Sequence, residues 1–412
     1  MFNIDRLREF VSGDVVAIRG TATLEPAGGP GDKIFPPSHA VDDKNRKPEP
    51  GAKYAFETRR IEGHDVRCVL VDSVQSQANR MEEALQALWA DARIALPVVS
   101  VDFSSIAPEV GRVTSLTAPH RIADALLRDS LLDGQLFRLS EIGKSFTDAS
   151  TRNATELFKV CPTGLVFGLW DSTGPNGGRG AKFQRALVSE IVGINAVHGS
   201  KTASRIDPLN LGKDAAVLYK ATNSDEMWTA NPEDAEKKDG EPVKVGKDEK
   251  AGKPSAVLHG NIAPSIDTVG GGVTIDEARH TVVLSLASLR RLGFTAGAEQ
   301  ARSVLAALGL LAVLAADSRG HDLRSRCLLV PKKGCALKLE AVARDGKTTP
   351  VELDLAGAIA LYEDAVRNLP DDIGFVTEKG KALAELEPSP KLADLVRRSR
   401  ALAATEVNVG DS

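Results

Sequence analysis

Arg67-Cys68-Val69-Leu70-Val71-Asp72-Ser73-Val74-Gln75-Ser76-Gln77-Ala78-Asn79-Arg80-Met81-Glu82 joins two periodicities with no linker between them. Residues 67–71 form a short β-rich run, and residues 77–90 place Ala78, Met81, Leu85, Leu88 and Trp89 at helical spacing. Ser73 stands where a helix N-cap belongs. The stretch therefore predicts a strand feeding directly into a helix. At such a turn the first backbone N–H groups of the helix point outward and can hold a phosphate. Ser73, Gln75, Ser76, Asn79 and Arg80 surround them with hydroxyls, amides and one guanidinium. The same residues also read as an ordinary cap with a solvent-facing first turn, and spacing alone favours that plainer reading.

Outward from this junction, residues 15–24 read as a strand, 26–51 as a Pro/Gly-rich excursion, 96–103 as a strand and 119–132 as an amphipathic helix. Residues 165–170 read as a strand entering the loop 172–180, and 186–195 as the strand returning from it. Strands follow at 281–286, 326–330 and 336–342, with helices at 298–316 and 355–368. Strands joined both by hairpins and by helical crossovers predict an α+β sheet with helices on one face. A β-α-β-β-α-β core, the ferredoxin-like or RRM-like arrangement, accommodates this order with insertions. Residues 231–254 carry six lysines and seven acids with almost no large apolar side chain, which predicts a flexible, solvated segment. The expected organisation is a discontinuous domain of residues 1–212 and 266–400, interrupted by a polar insertion at 213–265.

With 42% hydrophobic and 26% charged residues, the 412-residue chain falls in the globular range, and disordered, collagenous and coiled-coil classes are excluded. Residues 1–10 lack the basic-then-apolar pattern of a secretory signal. The longest apolar run, 304–316, is interrupted by Gly309 and is shorter than the roughly 18 residues a membrane span requires, so it reads as a buried helix. Cys68, Cys161, Cys327 and Cys335 show no paired spacing, so neither a zinc cage nor a disulfide framework is indicated. These features predict a cytoplasmic protein with no membrane partner, no metal and no cofactor.

A net charge of −4 argues against nucleic-acid binding as a property of the whole surface. Yet residues 152–213 hold eight basic residues against four acidic ones. Within that window, Trp170-Asp171-Ser172-Thr173-Gly174-Pro175-Asn176-Gly177-Gly178-Arg179-Gly180-Ala181-Lys182-Phe183-Gln184-Arg185 combines glycines, which permit close backbone approach, with the cations Arg179, Lys182 and Arg185. It reads either as a phosphate cradle or as a bare hairpin tip. It is not a Walker A loop, which ends in Gly-Lys-Ser/Thr, and this counts against a nucleotide-binding enzyme. Small hydroxyl residues alternate with Lys201 and Arg205 across 199–209, as where a ribose-phosphate chain is gripped without base readout; a plain Arg205–Asp207 salt bridge is the alternative. His120-Arg121 sets an imidazole beside a cation, and His120 is the natural candidate for a general base in RNA cleavage. Aromatic residues amount to 4%, too few for an extended base-stacking platform.

Taken together, the stretch 70–82, Pro119-His120-Arg121-Ile122-Ala123-Asp124-Ala125, Leu165-Val166-Phe167-Gly168-Leu169-Trp170-Asp171-Ser172-Thr173-Gly174, residues 180–191 and Thr202-Ala203-Ser204-Arg205-Ile206-Asp207-Pro208-Leu209 resemble the backbone subunit of type I CRISPR Cascade complexes, a RAMP-superfamily protein, in its subtype I-U (I-G) form. The resemblance runs in order over residues 67–211. It implies an RRM-like palm with inserted finger and thumb segments. It further implies a non-catalytic, antiviral-defence subunit whose copies stack head to tail as a helical filament along CRISPR RNA. Target DNA would be read by pairing with the guide, alongside other Cascade subunits and a recruited helicase-nuclease. RNA contact is carried over to Ser73, Gln75, Ser76, Asn79, Arg80, His120, Arg121, Arg179, Lys182, Arg185, Lys201 and Arg205. The rival expectation is a metal-independent endoribonuclease that processes CRISPR RNA, with His120 as base.

Overall fold

In the computed structural model, which describes residues 2–40, 49–173, 181–212, 214–223, 225–375 and 377–406, the strand His64–Asp72 runs straight into the helix Val74–Ala90. Ser73 caps that helix by accepting from the Ser76 N–H. Asp72 is fully buried, and a buried carboxylate persists only when its oxygens are satisfied. It accepts from the Gln77 amide at 2.7 Å, from Arg80 at 3.0 Å and from Arg324 at 2.9 Å. Arg80 also donates to the Leu323 carbonyl and Arg324 to the Val71 carbonyl. The turn is thereby tied to a segment about 250 residues away in sequence by the arginines Arg80 and Arg324.

Among the described residues, nine strands form one sheet around this turn. In chain order they are β1 (Val15–Pro26), β2 (Phe56–Ile61), β3 (His64–Asp72), β4 (Leu187–Ile194), β5 (Glu277–Ser285), β6 (His321–Asp322), β7 (Leu328–Pro331), β8 (Lys338–Ala343) and β9 (Thr348–Val351). The spatial order is β6-β7-β1-β5-β4-β3-β2; β8 also pairs with β1 and carries β9 on its far side. β1 lies antiparallel to β5 from Ala17↔Ser285 to Leu24↔Ala278, and β4 lies antiparallel to β5 on its other edge. Along β5, Ala278, His280, Val282 and Leu284 are buried while the residues between them are half-exposed, the period of two expected of a strand with one packed face.

The principal helices are α1 (Ile4–Ser12), α2 (Val74–Ala90), α3 (Ala298–Ser318) and α4 (Leu355–Arg367). α3 packs on α1, α2, α4 and β5. Gly309 lets it approach the sheet closely, since a Cβ there would meet Leu284 at 3.1 Å. By length and composition α3 is apolar enough to cross a membrane, but with 72% of its most apolar stretch buried it is a core helix.

Two expected elements differ. Residues 119–132 break into a 3-10 turn (Arg121–Ala123), a short helix (Ala125–Arg128) and a strand (Ser130–Leu132). Asp124 causes the break: its carboxylate accepts from the N–H groups of Leu126 and His120, capping a new helix and closing the turn before it. Residues 165–170 are not a strand. Pro162 opens a helix, Pro162–Phe167, and Gly168, at φ +88°, ends it, leaving only Leu169–Trp170 extended against Lys182–Phe183. A short, wholly buried apolar run has the same pattern in either conformation.

The chain divides into two compact units. The first, residues 1–42, 53–197 and 272–392, holds the sheet and the four helices. The second comprises 43–52, 198–271 and 393–412 and contains a hairpin, Lys201–Arg205 with Ile262–Asp267. The lysines and acids of 231–254 are exposed, yet the backbone follows a hydrogen-bonded path, with Lys220 donating to Val243, Glu236 to Lys220 and Val245 to Leu218. Leu218, Ala221, Ala235 and Val245 are buried there. Half of that apolar set lies outside the polar window, so composition within the window misses it.

Candidate nucleic-acid interface

Three segments of the first unit enclose one cavity of about 710 Å³. The first turns of α2 supply Gln75 and Asn79, which are exposed and share a helix face at i, i+4. The capped turn at Asp124 supplies His120 and Arg121. The short hairpin Leu169–Trp170 with Lys182–Phe183 supplies Trp170, Lys182 and, just beyond it, Arg185. Six of the residues singled out from sequence thus meet in one place: Gln75, Asn79, His120, Arg121, Lys182 and Arg185. Of the other six, the five described residues do not line it. Ser73 is committed to the helix cap and lines a smaller neighbouring pocket with Gln75, Arg59 and Glu190. Ser76 is half-buried. Arg80 turns inward to Asp72. Arg179 and the loop 174–180 lie outside the described residues. Lys201, paired with Asp267 at 3.4 Å, and Arg205, donating to the Leu258 carbonyl, belong to the second unit.

The cations of the cavity divide by whether an acid already holds them. Arg121 is buried and grips Glu82 through two bonds of 2.6 and 2.7 Å, with a third to the Gly168 carbonyl at 3.0 Å. Its backbone sits at φ +55°, a conformation that costs a non-glycine residue on the order of 1 kcal/mol and that the side-chain grip sustains. Arg121 is a strut in the wall, and its guanidinium is spoken for. Burial pushes the Glu82 carboxyl up to about 7, against the pull of Arg121. Arg128 is likewise held, by Asp129 at 2.7 and 2.6 Å.

Lys182 and Arg185 differ: among the described residues no carboxylate forms an ion pair with either. Arg185 is half-buried, with a long 3.5 Å contact to the Val74 carbonyl, and burial together with neighbouring Arg121 lowers its pKa. Lys182 lies 5.4 Å from the centroid of the Trp170 ring, which is 60% exposed. Two uncompensated cations, two amides, an imidazole and a flat indole therefore face one concavity, a set suited to phosphate and ribose with room for one stacked ring. Arg138 anchors its floor by holding the buried Asp171 at 2.8 Å, and Asp171 in turn accepts from the Thr173 N–H at 3.1 Å.

Sequence reasoning did not nominate Trp170, Arg128 or Arg138. The signal for Trp170 was the alternation of a two-residue strand, Leu169 inward and Trp170 outward. Arg128 is adjacent to its partner Asp129 in the sequence, whereas Arg138 has no local signal, since Asp171 lies 33 residues further on.

The part of the chain that builds this cavity is similar in sequence to a family of CRISPR-associated proteins. The match is to the family described as CRISPR-associated protein GSU0053 and covers residues 18–198. No curated protein sequence matches the chain. Among solved structures, Csc2 of Thermofilum pendens is similar at 13% identity, with a TM-score of 0.25 over 97% of this chain and 90% of that one.

Proposed function

We propose that this chain is a non-catalytic, RNA-binding subunit of a type I CRISPR Cascade complex. It grips the ribose-phosphate chain of the guide and leaves the bases free to pair with target DNA. The observation that carries this reading is the pair Lys182 and Arg185, which have no acid partner among the described residues, in a cavity also lined by Gln75, Asn79 and His120. The sheet supports an RRM-like palm: β1, α2, β4, β5, α3 and β8 follow one another in the chain, and their strands lie in the order β8-β1-β5-β4. On this reading residues 1–212 and 266–400 form the palm and 213–265 the insertion. Copies pack head to tail through a heterologous contact that stays open, so guide length sets filament length. Other Cascade subunits and a recruited helicase-nuclease complete the assembly, in the cytoplasm.

The test is to mix the purified chain with guide-length RNA and follow size-exclusion elution and RNA integrity together. A ladder of protein-RNA species with the RNA intact is expected. A chain that stays monomeric and free of RNA at low ionic strength refutes the proposal. RNA cleaved by the wild type and spared by His120→Ala replaces it with the endoribonuclease.

A further inference from the structure

We propose a divalent transition-metal site, suited to Zn²⁺, formed by His280 of β5, Asp317 at the end of α3 and His321 of β6. One potential ligand atom from each lies within 4.8 Å of the other two. His321 Nε2 stands 3.4 Å from an Asp317 oxygen. Zinc bonds of about 2.0–2.1 Å at tetrahedral angles place neighbouring ligand atoms about 3.4 Å apart, so this edge is already at coordination spacing. The imidazoles of His280 and His321 are buried, with ring centroids 5.4 Å apart.

A hydrogen-bond chain sets the tautomer of His280. The Gln77 amide nitrogen donates to Asp72, so the Gln77 oxygen faces Ser189 and accepts from its hydroxyl at 2.9 Å. Ser189 Oγ then accepts from His280 Nε2 at 2.9 Å, which places the imidazole proton on Nε2. The lone pair is left on Nδ1, which is buried and has no hydrogen-bond partner. A buried acceptor with no donor is costly, and a metal ion satisfies it. The chain Nε2–H to Ser189 to Gln77 is the outer support that metal-bound histidines require to fix their orientation.

Beside the three residues lies a cavity of about 170 Å³, room for a water to complete four-coordination. The ion would join β5 to the end of α3 and to β6, acting as a structural tie in the first unit. Paired-cysteine spacing gave no hint of it. Asp317 and His321 sit at i, i+4, but the third ligand arrives from a strand 37 residues earlier.

The test uses the full chain, stripped with chelator and titrated with Zn²⁺ by calorimetry, with Co²⁺ absorption as a second readout. One equivalent of Zn²⁺ per chain, visible Co²⁺ d–d bands and a melting temperature raised by Zn²⁺ are expected. Asp317→Asn, at a half-buried position where the shape is kept, lowers affinity by about tenfold or more, as does Ser189→Ala acting through His280. A stripped wild type that takes up no stoichiometric Zn²⁺ overturns the proposal. So does an Asp317→Asn chain that binds as tightly as wild type. Neither readout involves RNA, so the outcome is separate from that of the proposed function.

Discussion

Replacing Lys182 and Arg185 together by alanine isolates the phosphate-binding step. Each cation that neutralises a phosphate of a single strand contributes about 0.7 to the slope of log affinity against log salt, so losing both flattens the slope by about 1.4. Across a fourfold rise in salt, from about 50 to 200 mM, the wild type therefore loses about sevenfold more affinity than the double variant. Neither side chain forms an ion pair with a described carboxylate, so their removal strands no buried acid, and the fold is expected to persist. The assay is fluorescence anisotropy over a salt series with two RNAs of unrelated sequence, after circular dichroism confirms folding. The loss should be equal for both RNAs, since phosphate contacts carry no sequence information. An unchanged slope, or a loss confined to one RNA, refutes the reasoning.

Other residues separate support from contact. Arg80→Ala should lower the urea midpoint while leaving RNA affinity within about twofold, because its guanidinium is bound to Asp72 and Leu323; a large affinity loss with unchanged stability would contradict this. Arg121→Ala leaves Glu82 buried without its partner, so the carboxyl is held protonated and unsatisfied, and the loss should be about 1–3 kcal/mol, measured by urea unfolding. Trp170→Ala removes the exposed ring beside Lys182 and should weaken RNA binding by about 1 kcal/mol in the same anisotropy assay. Glu82 supplies a pH dependence. With its folded pKa raised to about 7 and an unfolded value of about 4.3, the folded state holds a proton that the unfolded chain releases. That contribution is full below the unfolded value and fades as pH rises through 7. The urea midpoint of the wild type should therefore decline from about pH 5 to 7.5 relative to the non-titrating Glu82→Gln.

The junction at Asp72 was legible because two periods meet there, and no distant residue is needed to see a strand become a helix. Which way each side chain of that helix points was legible only in part. Gln75 and Asn79 share a face, as their spacing requires, but Arg80 is one residue further round the helix and meets Asp72 and the Leu323 carbonyl. Its acid, Asp72, lies only eight residues back, but that Asp72 turns inward and that the Leu323 carbonyl takes the rest of the guanidinium depends on a segment that reaches the turn only through the folded sheet. Arg121 fails in the same way: Glu82 lies 39 residues before it. The broken helix at 119–132 has a local cause, Asp124, whose capping competes with continuation of the apolar stripe that suggested a single helix.

This division of the arginines also bears on how a chain of net charge −4 could hold RNA. Counterion release counts only cations that are free to meet phosphate, and a guanidinium already bound to a carboxylate contributes little to it. In the cavity, Arg121 and Arg128 are held by Glu82 and Asp129, whereas Lys182 and Arg185 have no such partner among the described residues. The acids that make the protein negative overall thus act partly inside the scaffold, where they position arginines and stiffen the wall. A charge-reversal series would separate the two populations. Lys182→Glu should weaken RNA binding more than Lys182→Ala through added repulsion of phosphate, with little change in stability. Arg128→Glu, which sets a second acid against Asp129, should act mainly on the melting temperature. If both reversals reduced RNA affinity equally and neither altered stability, the distinction between strut and contact would be wrong.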